Sequence, residues 1–310
     1  MKVAVLFSGQ GVQHAGMGKS LYDNYEVSRE IFDKANELLD WDVKEVCFTD
    51  VDQVINQTRY SQVAIFVTSI AAYKVALAQG ITPQAFAGFS AGEYSALVAS
   101  GMLSFEDGLK IIDHRAAFMT EATLVNPGIM RSVLGVDAKV VYDVCDDINK
   151  VLKKVDVVVA NDNCPGQVTI SGTEEAVEMA TQVLKIGARR IIPLRVGGAF
   201  HSPMMDYAKD KLTTFIEPFE FKPPSIPIVS NVSADYMDNV KAKQFLPQQV
   251  ATTVHFRQSL NRLIADGFDT FVEIGVKRTV VGFVRVIDSS LNTYHIDDMK
   301  SLTQTLEGLG

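Results

Sequence analysis

The segment Gly88-Phe89-Ser90-Ala91-Gly92 places a serine between glycines two residues before it and two residues after it. This spacing is typical of a nucleophile elbow, a tight strand-to-helix turn that exposes the serine hydroxyl and points the next main-chain N–H at the same place. A serine in that position attacks carbonyl carbons once a base takes its proton. The pattern is short, however, and a glycine-rich corner with a solvated serine explains it equally well.

The base would have to be one of five histidines: His14, His114, His201, His255 and His295. His201 lies in "VGGAFHSPMM", where small residues allow chain segments to approach closely. His14 also lies near glycines, whereas His114 falls within a predicted helix. Spacing alone does not select one histidine over the others.

Composition and charge narrow the class of protein. A chain of 310 residues is long enough for two domains. Its formal net charge of −8 disfavours a nucleic-acid binder, because no basic surplus is present to neutralise phosphates. Cys47, Cys145 and Cys164 are far apart and form no Cys-x-x-Cys pair, so we expect no disulfide framework and no metal site, and a reducing cytoplasm as the location.

Two apolar stretches could be targeting or membrane segments. The run from Val3 to Ser8 is shorter than a signal-peptide core, and a buried first strand explains it better. The stretch "VAIFVTSIAAYKVALA" is interrupted by Lys74 and falls short of a membrane span. We therefore expect a helix buried in the core, and a soluble protein that contacts no membrane.

Strand-like and helix-like segments alternate along the chain, which favours an α/β sheet covered by helices. The apolar run 3–7 predicts a central strand. A short strand at 85–89 followed by a helix at 91–99 gives Ser90 the context that an elbow requires. Other predicted elements are helices at 28–39, 61–78, 105–121 and 258–266, and strands at 226–229 and from residue 270.

The middle of the chain has a different order of elements, β-α-β-β-α-β, which is the ferredoxin-like arrangement. Its strands are predicted at 130–136, 155–160, 167–171 and 190–196, with "NDNCPG" as the turn between the second and third. Its helices are predicted at 139–149 and between the N-cap Thr173 and the stop signal Gly187. We therefore predict a large α/β-hydrolase-like domain with a parallel sheet (1–126 and 198–310) and a small inserted ferredoxin-like domain (127–197).

Seven motifs in order along nearly the whole chain resemble those of the malonyl-CoA:acyl carrier protein transacylase family, the acyltransferases of fatty acid and polyketide synthesis. The resemblance implies that Ser90 is a nucleophile rather than a solvated corner residue. The motifs are "FSGQGVQHAGMG", "GFSAGEYSALVASG", "RAAFMTEA", "NDNCPGQVTISG", "AFHSPMM", "SNVSAD" and "VEIG".

The resemblance also implies the reaction and its residues. Ser90 would take the malonyl group from coenzyme A as an ester, with His201 as the general base and then as the acid for the leaving thiol. Family members orient this histidine with main-chain carbonyls, and Gln249 in "LPQQVATTVHF" is the matching position. The oxyanion would lie between the main-chain N–H groups of Gln10 and Ala91.

Arg115 matches the family's arginine and would bind the free carboxylate of malonate through two parallel hydrogen bonds, which a lysine cannot reproduce. A surface arginine on an amphipathic helix is the alternative. Phe200 is the residue type that malonyl-selective members carry before the histidine. Its ring would crowd a methyl branch, at a cost of about 1–3 kcal/mol for one extra carbon.

The chain departs from the family pattern at several positions. Phe89 and Ala91 replace the usual histidine and leucine beside the serine, and Arg131 stands where a small residue is common. Val276 and Lys277 replace a Pro-Gly pair. These changes bear on specificity and carrier docking more than on the chemistry.

The second substrate implied by the resemblance is an acidic acyl carrier protein bearing a phosphopantetheine thiol, and no cofactor is implied. Arg189-Arg190 and Lys277-Arg278 are candidate docking pairs, with scattered solvated charges as the alternative. We expect a monomer. Three other functions stay open: a polyketide acyltransferase acting in trans, an acyl-carrier hydrolase of the same fold, and a non-catalytic carrier-binding module.

Overall fold

Two separate β-sheets form the framework of the protein. The structure, a computed structural model, describes residues 1–310. One sheet has five parallel strands and the other has four antiparallel strands. This confirms the predicted α/β class with a parallel sheet. The strands are β1 (Val3–Phe7), β2 (Ala85–Gly88), β3 (Ile129–Leu134), β4 (Val157–Cys164), β5 (Gln167–Gly172), β6 (Arg190–Pro193), β7 (Ile228–Val229), β8 (Thr270–Ile274) and β9 (Asn292–Ile296).

Helices cover the sheets and fill most connections between strands. A short 3-10 helix, Pro203–Met205, follows the segment that holds His201. The α-helices are α1 (Lys19–Asn24), α2 (Glu26–Leu38), α3 (Val43–Phe48), α4 (Thr58–Ala78), α5 (Gly92–Ala99), α6 (Phe105–Val125), α7 (Ala138–Leu152), α8 (Glu174–Leu184), α9 (Asp206–Ile216), α10 (Asn239–Gln249), α11 (Phe256–Ala265), α12 (Val280–Ile287) and α13 (Met299–Leu309).

The parallel sheet has the strand order β7-β2-β1-β8-β9. Every residue of β1, β2 and β8 is buried, because helices cover both faces of the sheet. Phe7 at the end of β1 pairs with Gly88 at the end of β2, so the loops after both strands emerge side by side. Ligand sites in open α/β sheets lie at these carboxyl ends.

The antiparallel sheet has the order β4-β5-β3-β6 and comes from one continuous stretch of chain. Helices α7 and α8 pack on it, and Thr173 caps α8 by accepting from the Ala176 N–H, as predicted. This sheet has a hydrophobic core cluster of its own, 14 buried residues that include Val141 and Ile170.

The prediction that "NDNCPG" is a turn is wrong for its first four residues, since β4 runs through Cys164. Two register shifts, between Val159 and Asn161 and between Asp162 and Cys164, let this polar segment stay paired with β5. The segment also contacts the chain before α11, because the Asp162 N–H donates to the Val254 carbonyl at 3.0 Å. Polar residues remain in a strand here because they have partners on both sides.

Helix α4 is long and apolar enough to cross a membrane by length and composition, contrary to the sequence-based expectation. Its 21 residues are mostly buried within the protein, however. Lys74 is exposed, and α2 and α6 pack along the helix. The predicted role as a core helix is confirmed.

Candidate active site

Ser90 lies in a sharp turn between β2, which ends at Gly88, and α5, which begins at Gly92. Its φ of 53° is in the left-handed region, which costs a non-glycine residue about 1–3 kcal/mol and persists only when the surroundings enforce it. A Cβ at Gly88 would overlap the backbone of Gly92, and one at Gly92 would overlap the carbonyl of Phe7. The two glycines therefore make the turn sterically possible.

Ser90 and His201 meet across the ends of these elements. Ser90 Oγ lies 2.8 Å from His201 Nε2, and His201 Nδ1 lies 2.7 Å from the main-chain oxygen of Gln249. Because a carbonyl only accepts, Nδ1 carries the proton and Nε2 is free to accept the serine proton. The His201 N–H also donates to the Val250 carbonyl at 2.9 Å, which holds the backbone at its φ of 57°.

The imidazole of His201 is held in its neutral form. Burial, and secondarily the positive charge of Arg115, lower the pKa of His201 from 6.5 to about 3. The hydrogen bond to the Gln249 carbonyl acts in the opposite direction but is weaker. A neutral imidazole is the form that can remove a proton from Ser90.

Arg115 lies on α6 with only 1% of its surface exposed, so it is not a surface arginine. Its Nη2 donates to Ser90 Oγ at 3.3 Å and to Gln249 Oε1 at 2.9 Å, and its Nη1 donates to Gln62 Oε1. The guanidinium also lies 5.3 Å from the centre of the Tyr94 ring. Burial lowers the pKa of Arg115, yet no carboxylate lies within ion-pair distance of it.

The main-chain N–H groups of Gln10 and Ala91 have no acceptor within the protein. Ala91 is the N-cap of α5 and is buried, so its N–H points from a helix N-terminus. Gln10 follows β1, and its side chain is held by Thr58 at 3.2 Å and Gln62 at 3.4 Å. Both groups belong to the two loops that emerge beside each other at the carboxyl ends of β1 and β2.

A cavity of about 240 Å³ opens in front of Ser90 between the two sheets. Phe200 and Phe89 form apolar parts of its wall, and Phe89 packs edge-on against Phe256 with ring centres 5.1 Å apart. Arg115 does not line the cavity itself; Gln62 does. The opposite wall comes from the antiparallel sheet and is mainly polar: Met130, Ser132, Asn161, Asn163, Gln167 and Thr169.

Sequence reasoning missed three polar residues around the serine. Asn231 accepts from the Ser90 N–H at 2.8 Å and donates its side-chain N–H to the Gly88 carbonyl at 2.6 Å. Glu93 is buried and accepts from the Asn231 N–H at 2.7 Å. Gln62 bridges Arg115 and Gln10. Asn231 and Glu93 do stand in the motifs "SNVSAD" and "GEYSA", which was the only signal available.

The basic residues proposed for docking differ in their positions. Lys277 and Arg278 are exposed, make no ion pair, and directly precede Thr279 at the cavity wall. Arg189 and Arg190 are exposed at the start of β6. Exposed Arg195, which the sequence did not single out, stands between the lining residues Leu194 and Val196.

Two further sequence features have plain structural accounts. Arg131 on β3 forms an ion pair with Glu178 on α8 at 2.7 Å, so it points away from the cavity. Cys47, Cys145 and Cys164 are free and buried. No group of three or more His, Cys, Asp or Glu side chains is placed to hold a metal ion.

Comparison with known proteins gives matches over nearly the whole chain. A family model described as acyl transferase domain matches residues 5–300. The malonyl CoA-acyl carrier protein transacylase of Bacillus subtilis (strain 168) is 40% identical over 99% of this chain and 97% of its own. The crystal structure of MCAT from Streptococcus pneumoniae superposes with a TM-score of 0.94 at 38% identity, covering 99% of this chain and 100% of that one.

A second solved structure contains a relative bound to its carrier protein. A type II PKS acyl-carrier protein in complex with its malonyl-transacylase matches with a TM-score of 0.94 at 31% identity, covering 99% of this chain and 100% of the matched chain. The chain therefore belongs to the acyl transferase domain family, among the malonyl-CoA:acyl carrier protein transacylases.

Proposed function

We propose that this protein transfers the malonyl group of malonyl-CoA to the phosphopantetheine thiol of an acyl carrier protein, through a malonyl ester on Ser90. One observation supports this most strongly. Ser90 Oγ lies within hydrogen-bond distance of both His201 Nε2 and Arg115 Nη2, so a nucleophile, a base and a carboxylate-binding group occupy one place.

In the first half-reaction, Ser90 Oγ attacks the thioester carbonyl carbon while its proton passes to His201 Nε2. The carbonyl oxygen becomes negative and accepts hydrogen bonds from the N–H groups of Gln10 and Ala91. The carbon–sulfur bond then breaks, and the proton on Nε2 goes to the sulfur of coenzyme A. The Gln249 carbonyl, which accepts from Nδ1, stabilises the imidazolium that exists between these events.

The second half-reaction reverses the first with a new thiol. The carrier's thiol gives its proton to His201 Nε2, and its sulfur attacks the ester carbon. The ester bond breaks, Ser90 Oγ recovers the proton, and malonyl-carrier thioester leaves. Both substrates present the same amide-containing pantetheine arm, which suits the polar wall formed by Asn161, Asn163 and Gln167.

Arg115 is the residue that would bind the free carboxylate of the malonyl group. Its Nη1 donates to the neutral Gln62 oxygen in the free enzyme, and a malonyl carboxylate would replace this contact with a stronger charge-assisted pair. Phe200 lines the cavity in front of Ser90 and would crowd a methyl branch, so we propose malonyl over methylmalonyl as the substrate.

We also propose the domain division expected from the sequence. Residues 1–126 and 198–310 would form an α/β-hydrolase-like domain and 127–197 a ferredoxin-like one. The order β4-β5-β3-β6, with α7 and α8 packed on the sheet, supports the second assignment, as does the separate core cluster.

The carrier protein would approach the cavity past the exposed basic side chains at 195, 277 and 278, since an acidic partner needs a local positive face. The structure of a carrier complex among the relatives supports such a partner. We propose a role in fatty acid synthesis, with a polyketide acyltransferase acting in trans as the alternative, since a polyketide carrier complex is among the relatives at 31% identity. We further propose a cytoplasmic monomer that uses no cofactor and binds neither nucleic acid nor membrane.

The test is an intact-mass measurement after incubation with malonyl-CoA. The wild type should gain the mass of one malonyl group and lose it when carrier protein is added, while Ser90→Ala should gain nothing. A wild type that stays unmodified would refute the transferase, and release of the group to water at the rate of transfer would indicate a hydrolase instead.

A further inference from the structure

Glu93 is a buried carboxylate behind the nucleophile that the mechanism above does not use. It lies in the first turn of α5 with 1% of its surface exposed. One oxygen accepts from the Asn231 N–H at 2.7 Å, and the other accepts from Gln249 Nε2. No Lys or Arg lies within ion-pair distance, so these neutral donors are its only hydrogen-bond partners.

The carboxylate determines which way the Gln249 amide faces. Gln249 Nε2 also donates to the Ser90 carbonyl at 3.0 Å, so both acceptors on that side require an N–H. The amide oxygen is thereby left on the opposite side, where it accepts from Arg115 Nη2 at 2.9 Å. A flipped amide would set oxygen against the carboxylate and N–H against the guanidinium, which is unfavourable on both sides.

The hydrogen bonds from Arg115 to Gln249 and from Gln249 to Glu93 connect the buried guanidinium to a buried carboxyl group. Arg115 has no direct carboxylate partner, and Gln249 connects it to Glu93 through one amide group. Burial raises the pKa of Glu93 to about 7, while the hydrogen bonds from Asn231 and Gln249 and the charge of Arg115 act to lower it. Both carboxyl oxygens accept hydrogen bonds from N–H groups, which is the arrangement that suits an ionised carboxylate.

We propose that Glu93 is a positioning residue that acts through the Gln249 amide to hold Arg115 in place for the malonyl carboxylate. This inference rests on the proposed function, because it assigns Glu93 to donor selection rather than to the bond-breaking steps. It predicts that loss of the Glu93 charge harms malonyl transfer more than acetyl transfer, since acetyl has no second carboxylate.

The test compares Glu93→Gln with wild type in acylation of Ser90 by malonyl-CoA and by acetyl-CoA. Glu93→Gln replaces one of the two accepting carboxylate oxygens with an NH₂ group, which cannot accept from the N–H groups of Asn231 or Gln249. The Gln249 amide therefore loses the contact that orients it. We expect kcat/KM for malonyl-CoA to fall about 10- to 100-fold more than that for acetyl-CoA, which corresponds to losing one charge-assisted hydrogen bond. KM should rise for malonyl-CoA and stay unchanged for acetyl-CoA.

A double-mutant cycle separates positioning from general damage. In an Arg115→Gln background, Glu93→Gln should no longer change the ratio of the two donors, because the group it positions is absent. An equal loss with both donors, or a malonyl-specific loss that persists without Arg115, would overturn the inference. If wild type itself is not malonylated, the proposed function fails instead, so the two failures are distinguishable.

Glu273→Gln is the matched control. Glu273 is also a fully buried glutamate, but its oxygens accept from the Thr279 and Val281 N–H groups at 3.0 Å each, away from Arg115. It should lower stability without changing the donor ratio. If Glu93→Gln does not fold, Gln249→Met removes the amide and keeps the length of the side chain. It should reproduce the malonyl-specific loss, and an unchanged donor ratio in this variant would overturn the inference.

Discussion

Replacing Arg115 with lysine tests the basis of substrate choice directly. The guanidinium uses two separate terminal nitrogens, Nη1 toward Gln62 and Nη2 toward Gln249 and Ser90. A lysine keeps the charge but has a single nitrogen, so it cannot make two parallel bonds to a carboxylate. Losing one charge-assisted bond costs about 1.5–3 kcal/mol, which predicts a roughly 10- to 150-fold lower kcat/KM for malonyl-CoA.

The assay is single-turnover acylation of Ser90, followed by intact mass, with malonyl-CoA and acetyl-CoA compared in parallel. Acetyl transfer should change less than about threefold, because no carboxylate bond is lost. Arg131→Lys is the matched control, since Arg131 pairs with Glu178 away from the cavity. Equal losses with both donors, or a malonyl rate equal to wild type, would refute the assignment of Arg115 to the carboxylate.

Three further predictions concern the base, the turn and the carrier. Because the pKa of His201 is lowered from 6.5 to about 3, the rate of acylation by acetyl-CoA should show no titration near pH 6.5. Arg115→Gln removes a positive charge that lowers this pKa, so the acid limb of the pH–rate profile should move to higher pH. The neutral ring should also stabilise the fold above pH 6.5, and this contribution should be lost as the pH falls toward 3. Gly92→Ala should destabilise the protein by about 1–3 kcal/mol or more in denaturant unfolding, because its Cβ would overlap the Phe7 carbonyl, whereas Gly282→Ala in open space on α12 should be neutral or stabilising. Lys277→Glu should raise the KM for carrier protein more than the KM for malonyl-CoA; equal KM values to wild type for both substrates would remove this residue from the docking surface.

The sequence predicted those parts of the fold whose residues are regularly apolar. β1 and β2 are continuous buried runs, and the β-α-β-β-α-β stretch alternates clearly enough to be recognised. β9 was not predicted, because it is an edge strand in which only Ile296 is buried. Helices α1 and α3 have six residues each, too few for a helical period to be visible.

The meeting of Ser90, His201 and Arg115 was predictable for a different reason. All three stand in motifs that resemble those of the family, and that resemblance, not spacing alone, selected them. Glu93 and Asn231 act through contacts with each other across 138 positions of sequence, and no local pattern encodes that pairing. The polar strand at Asn161 was mistaken for a turn for the same reason, since its partner at Val254 lies in a distant segment.

The cavity is built from two sources that depend on different parts of the chain. Ser90 follows strand β2 of the parallel sheet and His201 is held by the carbonyls at the end of α10, whereas the facing polar wall belongs to the antiparallel sheet. Substitutions on the polar wall can therefore change which acyl group or thiol arm is preferred, while Ser90 and His201 stay as they are.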